Sequence, residues 1–142
     1  MSTAVEQSVH ARLILSTRRS ALLRVTLRYR TDDPLAVRMG FPAEYSLDAA
    51  EETDCTAEVE WVFARQLLAA GLDLPSGLGD VHLGPAQGGH TMLELRAAEG
   101  VALLRFDSPD LQRFLWHTYT AVPECEELRR LDPDRALADL LR

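Results

Sequence analysis

Three arginines on one phase of a strand-like run, four histidines, two cysteines and an aspartate beside a glycine turn are the residues through which this chain could do chemistry. His10, His82, His90 and His117 stand at none of the short fixed spacings at which side chains converge on a metal ion. Cys55 and Cys125 lie far apart and form no CxxC pair, so both are expected to be free thiols in a reducing compartment. Gly77-Leu78-Gly79 lacks the strand-before, helix-after setting of a phosphate-cradling loop, and no nucleophile motif occurs. Asp80 follows that turn with no partner group in sight, which suits a turn-stabilising carboxylate better than a general base. The chain therefore reads as non-enzymatic, with no catalytic residue, metal or cofactor.

Arg24, Arg28 and Arg30 share a phase of the run from Leu23 to Arg30. In a strand they point to one side, where they could track the backbone of a single-stranded nucleic acid. Stacking aromatics are missing from that side, since Tyr29 alternates onto the apolar one. A solvated face, or one paired with acids of the same chain, is the simpler reading.

The elements that must position these residues alternate between periods of two and 3.6. Val5, Val9, Ala11, Leu13 and Leu15 form one apolar phase, interrupted by Gln7. Leu23, Val25, Leu27 and Tyr29 form a cleaner one, and Arg18-Arg19-Ser20 between the two predicts a hairpin. Thr31-Asp32-Asp33-Pro34 ends the second strand, and Leu35 to Phe41 forms a third. Residues 42–57 read as an acidic loop carrying Glu51 and Glu52, either a solvated segment or a docking arm for a basic surface. Val59, Trp61 and Phe63 mark a fourth strand with core-facing aromatics. It runs into a short helix for which Gly71 is the expected stop. Arg65, at the start of that helix, is expected in an internal ion pair or an oligomer contact. Leu74 to Asp80 reads as a turn, and three further strands are expected near Val81–Gly84, Thr91–Ala97 and Val101–Asp107. Ser108-Pro109-Asp110 and Asp132-Pro133-Asp134 are helix starts, the serine serving as the expected hydroxyl cap of the first. The expected fold is α+β, with about seven strands in a mostly antiparallel sheet and two or three helices, in a single domain over residues 1–142.

In the helix from Pro109, Leu111, Phe114, Leu115, Thr118 and Val122 make a complete core stripe. Trp116 and Tyr119 fall outside it and form a second row with Gln112, an expected interface.

Charge limits the partners. The 142 residues carry a net charge of −7, which disfavours sequence-independent attraction to nucleic acid for the molecule as a whole. Residues 1–38 nevertheless hold seven arginines against three acids, an asymmetry that strand pairing could preserve or erase. No apolar stretch reaches the ~18 residues of a membrane span, and no secretory signal opens the chain, so a cytoplasmic protein without membrane insertion is expected.

Two stretches, LRYRTDDPLAVRMGF from Leu27 and VEWVFARQLLAAGLDLPSGLGDVHLGP from Val59, closely resemble the SsgA-like proteins of sporulating actinobacteria. The likeness spans nearly the whole chain. It departs at Leu35, where the family more often has Tyr, at Pro42, where His is common, and in the longer acidic segment. The resemblance implies a strongly curved, whirly-like sheet and assembly as a homo-oligomer, a trimer. It also implies a regulator of sporulation-specific division that is recruited to septa and helps to localise the tubulin-like protein FtsZ, directly or through paralogues. A protein-binding adaptor is thus the leading reading, with single-stranded nucleic-acid binding through Arg24, Arg28 and Arg30 as the alternative. A scaffold whose business is self-assembly through Trp116 is the third.

Overall fold

The computed structural model describes residues 4–42 and 58–127. The acidic segment with Glu51 and Glu52, Cys55, and the helix expected after Asp132 lie outside the described residues. The described elements are β1 (Ala4–Ile14), β2 (Ser20–Arg30), β3 (Asp33–Pro42), β4 (Glu58–Ala64), α1 (Arg65–Asp73), β5 (Ser76–Leu78), β6 (Val81–Ala86), β7 (His90–Ala97), β8 (Gly100–Asp107) and α2 (Ser108–Ala121). A 3-10 turn, Glu124–Glu126, follows.

The class is α+β, as the residue pattern predicts. The strands form one curled half-barrel sheet in the order β4-β3-β2-β1-β8-β7-β6-β5, with every neighbouring pair antiparallel. The count is eight rather than about seven because β5 arises inside the segment expected to be only a turn. Ser76–Leu78 pairs with β6 across a tight reversal at Gly79, whose φ of 62° suits a residue without a side chain. The β2–β3 reversal is also tighter than expected, so that β3 begins at Asp33.

Period-two alternation sets the two faces of the sheet. Leu23, Val25, Leu27 and Tyr29 of β2 are at most 3% exposed and face the helices, while Arg24, Thr26, Arg28 and Arg30 face away. Gln7 breaks the apolar phase of β1 for a reason: its side-chain amide donates to the carbonyl of Asp110, in the first turn of α2, at 2.9 Å. The core stripe expected on α2 is fully realised, since Leu111, Phe114, Leu115, Thr118 and Val122 are all buried. Phe63 is buried beneath the helices, whereas Trp61, one pleat earlier on an edge strand, is only partly covered.

Two end signals behave differently from expectation. Gly71 lies inside α1 rather than beyond its end. A Cβ there would come 2.5 Å from the Cβ of Leu83, so the glycine lets the helix backbone sit directly on β6. The cap of α2 is Asp107, not Ser108, and it makes no side-chain capping bond. The Ser108 hydroxyl instead shares a 2.7 Å hydrogen bond with the buried Thr91 hydroxyl of β7.

Candidate interaction surfaces

The most extensively bonded buried side chain is a cation. Arg65, the first residue of α1, is completely buried. Its Nε donates to Glu127 Oε1 at 3.0 Å, and its Nη1 donates to the carbonyls of Thr118 and Val122 at 3.2 and 2.8 Å. Those carbonyls belong to the end of α2, whose last turn carries no basic residue of its own. The guanidinium supplies from α1 the positive charge that a helix C-terminus favours. Its carbon also sits 4.9 Å from the Tyr29 ring centroid and 4.5 Å from that of Tyr119. One cation thus joins β2, α1, the end of α2 and the turn beyond it, which realises the internal ion pair, one of the two roles expected of Arg65.

The row expected on the second face of α2 divides. Tyr119 turns inward, half-buried over Arg65, and burial pushes its phenol above the ordinary 10. The Arg65 charge opposes that shift, and Glu124 and Glu127 add to it. Gln112 and Trp116 remain outside, with Trp116 64% exposed and its ring edge-on to His117 at 5.1 Å. A tryptophan so exposed on a well-packed helix is a surface that burial against a partner would stabilise.

On the sheet face turned away from the helices, the arginines also separate into two groups. Arg28 meets Glu58 through a forked pair of contacts at 2.8 and 3.3 Å, with Glu60 and Glu6 at 3.6 and 3.7 Å. The hydrogen bond to Glu58 is the main reason its pKa is raised. Gly40 makes this fork possible: a Cβ at that position of the intervening strand would lie 2.6 Å from Glu58 Oε2. Arg30 pairs with Asp32 at 2.8 Å, and Arg38 with Asp33 and Glu60. Pairing of β3 with β4 therefore brings carboxylates from the acidic part of the sequence onto the basic one. Two of the three arginines considered for nucleic acid are committed to carboxylates of the same chain, and Arg24 forms no ion pair among the described residues.

Arg24 belongs instead with residues that sequence reasoning did not group with it. Strand pairing sets His10 opposite Arg24 and Arg12 opposite Arg105. Arg12 and Arg105 each continue a wet phase visible in the sequence. Their juxtaposition depends on β1 lying beside β8, which no local pattern encodes.

Among the described residues no group of three or more His, Cys, Asp or Glu side chains is placed to hold a metal ion. No described helix is long and apolar enough to cross a membrane. Cys125 is exposed and unpaired.

The described residues form a curled antiparallel sheet with two α-helices packed on one side, and their candidate features lie on its surfaces. The chain belongs to the SsgA family: the family described as Streptomyces sporulation and cell division protein, SsgA, matches residues 23–127. The sporulation-specific cell division protein SsgB of Streptomyces coelicolor is 41% identical over 99% of this chain and 98% of its own length. SsgB of Salinispora tropica is 37% identical over 98% and 94%. Among solved structures is one of SsgB, described with mutations that correlate to longitudinal cell division during sporulation of Streptomyces coelicolor. It superposes with a TM-score of 0.80 at 38% identity, covering 92% of this chain and 97% of that one. The SsgA-like sporulation-specific cell division protein of Thermobifida fusca gives 0.79 at 31%, covering 97% and 96%.

Proposed function

We propose that this chain is a non-enzymatic adaptor of sporulation-specific cell division, which binds FtsZ or an SsgA-like paralogue in the cytoplasm and is recruited with it to septa. The observation that carries the reading is likeness to SsgB proteins along essentially the full length of both chains. The exposed Trp116 and Gln112 on α2 supply a surface for protein contact, either with a second copy in a homotrimer or with the division protein. Glu51 and Glu52 of the acidic segment are a further docking candidate for a basic partner surface.

The test is direct binding of the purified chain to purified FtsZ from the same organism, with single-stranded oligothymidylate alongside. Saturable binding to FtsZ, weakened in Trp116→Ala, is the expected result. Binding to oligothymidylate without any to FtsZ or a paralogue contradicts the adaptor reading.

A further inference from the structure

We propose that the open, basic part of the outer sheet face, centred on Arg12 and Arg105, docks an acidic peptide segment of a partner protein. This deepens the adaptor reading, on which it rests, by naming a surface and the chemistry it holds.

Strand register puts Arg12 of β1 directly opposite Arg105 of β8, an arrangement of like charges that costs stability. Arg105 and Arg24 form no ion pair among the described residues, and Arg12 has only a 3.4 Å hydrogen bond to the Ser20 hydroxyl. His10 stands beside Arg24, and the one acid at the site, Asp107, is already 3.3 Å from His90 Nε2. A recess of about 200 Å³ is lined by His10, Arg12, Leu22, His90, Arg105 and Asp107. A protein with a net charge of −7 thus keeps Arg12 and Arg105, neither in an ion pair among the described residues, around a concavity that holds the single carboxylate of Asp107, and a further carboxylate can be held there by charge-assisted, forked hydrogen bonds.

The surroundings favour a peptide over a nucleic acid. Leu22 is 55% exposed at the recess, and Leu103 and Met92, together with Glu94, line a second, more apolar recess of about 390 Å³. No Trp, Tyr or Phe stands on this face among the described residues, so bases have no stacking platform. A chain that alternates acidic and apolar side chains satisfies both the arginines and the leucines.

The probe is a labelled synthetic peptide alternating glutamate with leucine, followed by fluorescence anisotropy, with labelled oligothymidylate as the competing class. The full chain should bind the peptide in a salt-sensitive way. The double variant Arg12→Ala, Arg105→Ala should weaken it by about tenfold or more. Arg28→Ala, which removes a cation already neutralised, should leave it within about twofold. Arg105→Gln alone should weaken the peptide while leaving the thermal midpoint unchanged or raised, an outcome that a purely structural role would not produce. Absence of peptide binding at low salt overturns the proposal, as does an equal loss in Arg28→Ala. Tighter binding of oligothymidylate through the same two arginines overturns it in favour of nucleic acid. The double variant is also titrated with FtsZ. Undiminished FtsZ binding removes this surface while sparing the adaptor reading; peptide binding without FtsZ binding by the wild-type chain does the reverse.

Discussion

The two halves of the outer sheet face use the same residue type to opposite effect. Around β2, β3 and β4, the arginines Arg28, Arg30 and Arg38 each meet a carboxylate. Around β1 and β8, Arg12 and Arg105 face each other instead. Both sets look alike along the chain, as single arginines on the wet phase of a strand. What separates them is the neighbouring strand: β4 carries Glu58 and Glu60 to its side, whereas β8 carries another arginine. Strand order, more than composition, decides which arginines meet a carboxylate and which form no ion pair among the described residues. Arg65 is the limiting case of the first kind, a cation withdrawn from solvent altogether and given a carboxylate, two carbonyls and two aromatic rings.

The comparison is broken most severely by removing the buried member. Arg65→Met leaves the Glu127 carboxylate buried without its cation, and it should cost about 3–5 kcal/mol in urea unfolding. A loss below about 1 kcal/mol would mean that Glu127 reaches water with little penalty. The double substitution Glu58→Gln, Glu60→Gln makes the paired half resemble the open one. Because these pairs are partly exposed, the cost should stay within about 1 kcal/mol for each pair. The same change should create new salt-sensitive binding of acidic peptide at Arg28, read by anisotropy, while Arg38 keeps its Asp33 partner. No gain would show that bare charge is insufficient without the recess beside Arg12.

The smallest effect concerns pH. Burial raises the Tyr119 phenol above its ordinary 10, so the folded state favours the neutral form. That contribution is complete below the unfolded value of about 10 and is lost as pH rises through the higher folded one. Unfolding followed into the alkaline range should show the extra loss in the wild-type chain and less of it in Tyr119→Phe. An identical profile for the two proteins would remove Tyr119 as the source.

Legibility in the sequence follows the range of the interaction. The alternation of Leu23 to Tyr29 and the stripe from Leu111 to Val122 are local periodicities, and both predict the buried faces correctly. Local stop and start signals were less secure, because tertiary contact claimed the residues first. Gly71 is needed against Leu83, and the Ser108 hydroxyl is taken up by Thr91. The strand at Ser76 has no signature in the sequence because three residues carry no period, and it forms through pairing with β6. For the surfaces, exposure of Trp116 could be expected from its misfit with the core stripe. The partner of Arg65 could not, since Glu127 lies 62 residues away, and the same holds for the meeting of Arg12 with Arg105. The residue pattern reaches the α+β class without any of these contacts, and neither it nor the family resemblance indicates which arginines stay open.

The most direct test of an adaptor with a divided sheet face is replacement of the wild-type gene in its own organism by the Arg12→Ala, Arg105→Ala variant, with fluorescent FtsZ imaged during sporulation. The account predicts that the variant accumulates normally while regular rings and septa fail to form, and that Arg28→Ala septates as wild type does. Normal ring placement in the double variant, at normal protein levels, would contradict it.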